Sequence, residues 1–226
     1  MPPLTWPVAW QGLALAALAA TLAMGLGTRP LAAAPMAAAA RGAGFRARDF
    51  AFGLAGYLMF GLGYIGYMTF IVTLLREQGA SGATVVAFYI LLGCGVIASS
   101  WLWAPLLQRY RGGQPLALLN ALLAVATLLP VLSAHPLAVF ASGALFGAVF
   151  LSLVASTTAL VRHNLPPAAW PAGIAAFTSI FAAGQIVGPS LVGWVADGTG
   201  GLARGLAVSA GVLALGALLA ARQRAL

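Results

Sequence analysis

The sequence predicts an all-α, polytopic membrane helix bundle with seven transmembrane helices. Composition is the first reason, since 62% of the residues are hydrophobic and only 6% are charged, against about 25% charged in an ordinary soluble domain. The second is a mean hydropathy of +1.00. The third is that the apolar residues fall into seven runs, each near the ~20 residues that a helix needs to cross the bilayer. A soluble enzyme, a nucleic-acid-binding domain and a disordered chain all conflict with this composition.

Short polar or helix-breaking segments separate most of the runs. In chain order the runs are residues 8–26, 51–75, 83–107, 115–133, 137–161, 172–195 and 205–221. The first has no basic leader and so does not resemble a signal peptide. The long segment after it is rich in Ala, Pro and Arg and has no apolar periodicity, which is typical of a linker. The predicted domains are a single transmembrane helix over 1–26, a cytoplasmic linker over 27–49 and a six-helix domain over 50–226.

The distribution of arginine predicts the orientation in the membrane. The chain has eleven basic residues, all of them Arg, and a formal net charge of +8. Basic loops stay in the cytoplasm, and a cytoplasmic linker leaves nine arginines inside and only Arg76 and Arg204 outside. Arginine without lysine, with abundant Ala and Gly, is typical of a GC-rich bacterial genome. We therefore predict a protein of the bacterial inner membrane with its N-terminus outside and its C-terminus cytoplasmic.

The third and sixth runs resemble each other at an offset of 89 residues. The aligned pairs match small with small or polar with polar: Gly95 with Gly184, Ser99 with Gly188, Ala104 with Gly193, and Gln108 with Asp197. Small residues at this spacing let two helices approach closely. The offset covers three helices, an odd number, so the second trio would be inverted relative to the first. The last six runs are thus predicted to form two inverted three-helix repeats, a known construction of secondary transporters.

Residues 104–112 read APLLQRYRG and resemble a loop motif of the major facilitator superfamily (MFS), Gly-x-Leu-Ala-Asp-Arg-x-Gly-Arg. Leu106 and Arg109 match that motif, whereas Ala104 and Gln108 stand where the family has Gly and Asp. The resemblance implies that Arg109 helps to latch the cytoplasmic gate. The alternative is that Arg109 only helps to set the topology.

Two further stretches extend the resemblance to nearly the whole chain. Residues 184–193 resemble the glycine–proline helix of the family's eleventh span, and residues 60–70 resemble the seventh span of the YbfB/YjiJ-like bacterial branch. The resemblance implies the last span of an N-terminal half followed by the C-terminal six-helix half, in a chain that looks N-terminally truncated. The implied function is solute transport by alternating access, with the missing N-terminal half or a second copy as partner.

Polar and aromatic side chains inside the runs are the candidates for a solute pathway, because polar groups are costly in the bilayer. No Asp, Glu, Lys, Arg or His lies in the middle of any run, so we expect a small, neutral or amphipathic solute. The candidate pathway residues are Tyr64, Tyr67, Ser152, Phe181 and Gln185. The alternative for the tyrosines is helix packing, and for Gln185 an interhelical hydrogen bond.

A gating role is predicted for the sixth run, where Gly188 and Pro189 follow one another. Proline removes a backbone hydrogen bond and kinks a helix. The single cysteine, Cys94, excludes an internal disulfide. His135 and His163 lie near the ends of the runs without ligating neighbours, and no metal or cofactor is predicted.

Two other functions are weighed against transport. A self-contained seven-span sensor or receptor-like protein fits the topology, although such a receptor would have longer cytoplasmic loops. An intramembrane enzyme would need acids, histidines or a nucleophile at depth, and the runs contain none. The sequence therefore favours a transporter and not an enzyme.

Overall fold

The computed structural model describes residues 6–28 and 44–226. The chain divides into two units, Met1–Ala38 and Ala39–Leu226, which are described separately. The first contains a single 23-residue helix, α1 (Trp6–Thr28), composed almost entirely of apolar residues. Most of the predicted linker lies outside the described residues, so its structure and its side of the membrane stay predictions.

The second unit begins with a short 3-10 turn at Ala47–Phe50 and continues as six long helices. These are α2 (Ala51–Glu77), α3 (Gly82–Arg109), α4 (Gln114–Leu132), α5 (Pro136–Asn164), α6 (Trp170–Ala196) and α7 (Gly201–Ala221). With α1, seven helices of the described chain are long and apolar enough to cross a membrane. The prediction of an all-α bundle with seven spans is confirmed.

Several helices extend beyond the apolar runs that predicted them. The fifth run ends at residue 161, but α5 continues to Asn164. The seventh begins at residue 205, but α7 starts at Gly201, preceded by the left-handed residue Gly200 (φ +105°). Hydropathy marks only the part of a helix inside hydrocarbon, and helices continue into the polar interface. Arg162 and His163 lie in the last turn of α5, where their side chains favour the negative end of the helix dipole.

The six helices of the second unit pack as two reciprocal trios, α2–α4 and α5–α7. Helix α3 packs on α5, and α6 packs on α2; likewise α2 packs on α7, and α5 on α4. Helices α4 and α7 pack on each other. Exchanging the two trios converts these contacts into one another, whereas the contact between α6 and α7 has no comparable counterpart between α3 and α4.

Gly95 and Gly184, which align at the 89-residue offset, lie at equivalent helix contacts. A Cβ atom on Gly95 of α3 would lie 2.8 Å from the Ala144 carbonyl of α5. A Cβ atom on Gly184 of α6 would lie 2.9 Å from the Leu58 carbonyl of α2. In both pairs glycine allows the two backbones to touch.

Burial is uneven across the bundle. Helices α2, α4 and α5 have the most buried residues, whereas α3 and α6 leave much of their surface uncovered. The uncovered surface is apolar and carries large side chains, such as Trp101 on α3 and Ile186 and Trp194 on α6. Lipid or another helical body must cover such a surface in a membrane.

The C-terminal segment ties the helix ends together at one end of the bundle. The Gly53 amide donates to Gln223 Oε1 (3.0 Å), and Gln223 Nε2 donates to the Asp49 carbonyl (2.9 Å). The Gly113 amide donates to the Gln223 carbonyl (2.9 Å). Gln223 is buried and satisfies a free N–H group in the first turn of α2.

Candidate functional site

Aromatic rings from α2, α5 and α6 stack together near the middle of the bundle. We call them the aromatic cluster, and its members are Tyr57, Phe60, Tyr64, Phe150 and Phe181. Tyr64 is the central residue of α2, and its ring centroid lies 4.7 Å from Phe60, 5.3 Å from Phe150 and 5.5 Å from Phe181. The Tyr64 ring is tilted by only 19–24° from those three rings. Such near-parallel stacking gives a flat apolar surface at mid-depth.

The spacing of residues along α2 creates this surface. Positions 57, 60 and 64 recur every three or four residues and so share one face of the helix. On the same face, Gly61 lets α6 approach, since a Cβ atom there would lie 2.8 Å from the Phe181 carbonyl. The backbone contact brings the Phe181 ring alongside those of α2.

Gln185 and Tyr64 form the polar part of the site. Gln185 Nε2 donates a hydrogen bond to the Tyr64 hydroxyl. Tyr64 is buried and Gln185 half-buried. In the described chain this is the one side-chain-to-side-chain hydrogen bond joining α2 and α6. It leaves the hydroxyl proton of Tyr64 and the amide oxygen of Gln185 for a further partner. Tyr64, Phe181 and Gln185, all predicted from the sequence, are thus brought together.

Tyr67 is not hydrogen-bonded to this polar pair, although its ring joins the aromatic cluster through Phe146, which stacks on Phe150. Its side chain is fully buried, and its ring stacks on Phe146 with centroids 4.1 Å apart. Its hydroxyl lies 2.6 Å from Ser142 Oγ, which donates to the Ala126 carbonyl at 2.7 Å. This chain of contacts ties α2, α5 and α4 together.

Ser152 lies at the α3–α5 interface. Its buried hydroxyl donates to the Ser99 carbonyl at 3.0 Å. Nearby, Trp103 Nε1 donates to the Ala148 carbonyl at 2.6 Å. Both bonds fasten α3 to α5, and Ser152 points away from the face of α5 that carries Phe150.

The three predicted gating residues lie in two places. Gly188 is buried against α2, at the Leu62 carbonyl and the Ile65 side chain, and Pro189 follows it inside α6. Arg109 is the exposed last residue of α3, with its guanidinium carbon 5.7 Å from the centre of the Tyr110 ring. Within the described chain the only ion pair joins Arg48 and Asp49, at 3.6 Å.

Sequence reasoning missed two residues. Phe150 completes the aromatic cluster, and its signal is the Phe146–Phe150 pair, spaced by one helical turn in the middle of the fifth run. Asn120 is the one asparagine inside any predicted span. It is fully buried, its Nδ2 donates to the Leu116 carbonyl at 3.1 Å, and its Oδ1 has no protein partner in the described residues.

The described part of the chain brings together no group of three His, Cys, Asp or Glu residues that could hold a metal ion. The aromatic cluster with the Tyr64–Gln185 pair is the candidate site.

Comparison with known proteins decides the family. A family model described as "Uncharacterised MFS-type transporter YbfB" matches residues 3–221. The chain belongs to the YbfB-like MFS-type transporters. This agrees with the resemblance seen in the sequence and supports a membrane transporter over a sensor or receptor. No curated protein and no solved structure matches the chain. As a YbfB-like MFS-type transporter with seven candidate spans, it is a multi-pass membrane protein.

Proposed function

We propose that this chain moves a small, neutral or amphipathic solute by alternating access, along a pathway between α2 and α6. The observation that carries the proposal is the Tyr64–Gln185 pair beside the aromatic cluster. It combines a flat apolar surface with hydrogen-bonding groups in the middle of the bundle. Binding sites for small molecules have this composition, mostly apolar with a few polar groups that fix orientation.

The location of the charges supports a solute without net charge. The three acidic residues, Asp49, Glu77 and Asp197, all lie at helix ends or next to them. A charged solute at mid-depth would meet no opposite charge from this chain, and burying an unpaired ion is costly. A neutral or amphipathic solute needs only apolar contact and the two side-chain hydrogen-bonding groups.

Alternating access needs a second body against which this one can move. The uncovered apolar surface of α6, which carries Ile186 and Trp194, is suited to a second six-helix half, supplied by an N-terminal half or by a second copy. Solute would then shift the equilibrium between two arrangements by binding them unequally. Gly188 and Pro189 in α6, and Arg109 at the end of α3, are the proposed gating residues.

The orientation follows the arginines. Seven of the described arginines lie at the end of the bundle that also holds the C-terminal segment, and only Arg76 and Arg204 lie at the other. By the positive-inside rule, the C-terminus is cytoplasmic and α1 begins outside, in the bacterial inner membrane.

Uptake by proteoliposomes tests the proposal. The full chain is reconstituted and exposed to a defined mixture of neutral, amphipathic and anionic solutes, and the trapped solutes are identified by mass spectrometry. We expect neutral or amphipathic solutes to enter, and Gln185→Ala to lower their uptake by about tenfold, the effect of one lost polar contact worth ~1.4 kcal/mol. Gln78→Ala is the matched control, since Gln78 donates one hydrogen bond to the Pro130 carbonyl away from the site. The proposal would be refuted by uptake no greater than in protein-free liposomes. It would also be refuted if Gln185→Ala and Gln78→Ala lowered solute uptake equally.

A further inference from the structure

A groove runs along the outside of the α3–α5 pair, away from the aromatic cluster. It consists of two adjoining cavities of about 300 and about 400 Å³ that share Leu107 and Gln108. Besides the two shared residues, the deeper cavity is lined by Ala104, Leu151, Ala155 and three serines, Ser99, Ser100 and Ser152. The outer cavity opens at the arginine-rich end of the bundle, beside Arg162 and Trp170.

The groove has the length of one membrane leaflet. Its inner end is at Ser99 and Ser152, each ten residues from the arginine at the end of its helix, Arg109 or Arg162. Ten helical residues rise ~15 Å, which is half of the ~30 Å hydrocarbon thickness. An acyl chain that starts at the membrane surface would therefore end where the groove ends.

The deep part of the groove suits an acyl chain. Alanine and leucine side chains make up half of its lining, and three serines and Gln108 make up the rest. The two serines at its inner end have their hydroxyls engaged, since Ser99 Oγ donates to the Val96 carbonyl (2.7 Å) and Ser152 Oγ donates to the Ser99 carbonyl (3.0 Å). An apolar chain there would leave neither of these two buried hydroxyls unpaired, and Ser100 is exposed.

The outer part carries a positive charge held in a fixed position. The Arg162 guanidinium carbon lies 4.6 Å from the centre of the Trp170 ring, and Trp170 Nε1 donates to the Leu165 carbonyl at 2.9 Å. A stacked guanidinium keeps its edge N–H groups free to bind a phosphate. No carboxylate pairs with Arg162, because the one ion pair of the described chain is Arg48–Asp49. The neighbouring Gln108 is neutral.

We propose that this groove binds an anionic phospholipid, with one acyl chain between α3 and α5 and the phosphate on Arg162. Charge complementarity selects the anionic headgroup, and the leaflet-length apolar channel selects a membrane lipid over a soluble phosphate. The site lies outside the proposed solute pathway and does not depend on it.

Native mass spectrometry of the full chain in detergent tests this site. The probes are a phosphatidylglycerol, a phosphatidylcholine with the same acyl chains, and inorganic phosphate. We expect phosphatidylglycerol to bind about tenfold tighter than phosphatidylcholine, the effect of one added charge-assisted contact worth ~1.4 kcal/mol. Inorganic phosphate should not displace it. Arg162→Gln should weaken phosphatidylglycerol binding about tenfold, and Gln108→Asp should weaken it by placing a carboxylate in the groove.

Two matched controls separate this site from general attraction. Arg111→Gln removes a charge at the same end of the bundle but outside the groove, and should have little effect. Ala155→Trp fills the channel and should weaken binding, whereas Ala141→Trp on another exposed part of α5 should not. The proposal fails if both lipids bind equally or if phosphate displaces phosphatidylglycerol. It also fails if Arg162→Gln and Arg111→Gln weaken phosphatidylglycerol binding equally, or if the Ala155→Trp protein binds phosphatidylglycerol as tightly as wild type.

Discussion

The α3–α5 pair and the α2–α6 pair each join the two trios, at places that correspond to each other, yet different contacts hold the two pairs together. In α3–α5, Trp103 and Ser152 each donate to a backbone carbonyl of the facing helix. In α2–α6, the polar contact is between two side chains, Gln185 and Tyr64. Both pairs use glycine for backbone contact, but only α2–α6 adds a stacked aromatic surface.

Because of this difference, we call α3–α5 the fixed interface and α2–α6 the exchangeable interface. A backbone carbonyl inside a helix cannot move to a new partner, so the α3–α5 bonds hold one geometry. The amide of Gln185 and the hydroxyl of Tyr64 can rotate, and a solute with its own polar group could replace either partner. The comparison therefore supports the proposed solute pathway at α2–α6 and a structural role for α3–α5.

The largest effect should come from forcing the fixed interface apart. In Gly95→Val the new Cβ atom would lie 2.8 Å from both the Ala144 carbonyl and the Ala148 nitrogen. Overpacking typically costs 1–3 kcal/mol and can cost more when backbone must move. We expect a sharply lower melting temperature, measured by size-exclusion chromatography after heating in detergent. Gly93→Val, two residues away with open space around its Cβ position, should melt like wild type. An equal drop in melting temperature in both variants would show that the Gly95 backbone contact does not stabilise the interface.

A smaller effect is expected from the same kind of change at the exchangeable interface. Gly184→Ala would place a methyl group 2.9 Å from the Leu58 carbonyl and the Gly61 carbonyl carbon. Since α6 is proposed to move relative to α2, stability should fall less than in Gly95→Val, while solute uptake should fall strongly. Gly193→Ala, which meets open space, is the control. A Gly184→Ala protein with normal uptake would mean that the α2–α6 contact has no part in transport.

Removing a donor at the fixed interface should affect stability alone. Trp103→Phe and Ser152→Ala each lose one hydrogen bond to a carbonyl, worth about 0.6–1 kcal/mol inside a membrane protein. Thermal melting should detect that loss, and uptake kinetics should stay unchanged. Exposed Ser100→Ala serves as the control for stability. A raised KM in Ser152→Ala would instead return Ser152 to the solute pathway, where the sequence first placed it.

The smallest effect should be the coupling between Tyr64 and Gln185. A double-mutant cycle with Tyr64→Phe and Gln185→Ala should give an interaction free energy of about 1 kcal/mol or less, from unfolding in denaturant. A side-chain pair that exchanges partners with a solute cannot be strongly coupled. Coupling well above ~2 kcal/mol would mark the bond as a structural tie like those of α3–α5.

Much of the fold is predictable because a helix must be apolar over about 20 residues to cross the hydrocarbon of a membrane. Apolar length gives the seven helices, and the 89-residue offset gives the two trios, as the equivalent positions of Gly95 and Gly184 show. Helix ends are less predictable, because polar residues such as Arg162 and His163 continue a helix outside the hydrocarbon. Hydropathy has no signal for where such a helix stops.

The candidate site is only partly predictable. Tyr64, Phe181 and Gln185 meet because polar and aromatic residues at mid-depth need partners. Tyr67 and Ser152 also carry hydroxyl groups inside predicted spans, but the direction of each side chain decides its partner. That direction depends on which helices are neighbours, and hydropathy does not specify neighbours. Phe150 was missed for the same reason, since only its contact with Tyr64 distinguishes it from other core phenylalanines.

Hydrogen–deuterium exchange of the full chain in lipid nanodiscs tests the central comparison most directly. If α2–α6 opens to water as the pathway and α3–α5 stays closed, backbone amides in peptides containing Gln185 will exchange faster than those containing Ser99. Equal protection of the two peptides, or faster exchange around Ser99, would contradict the assignment of the pathway to α2 and α6.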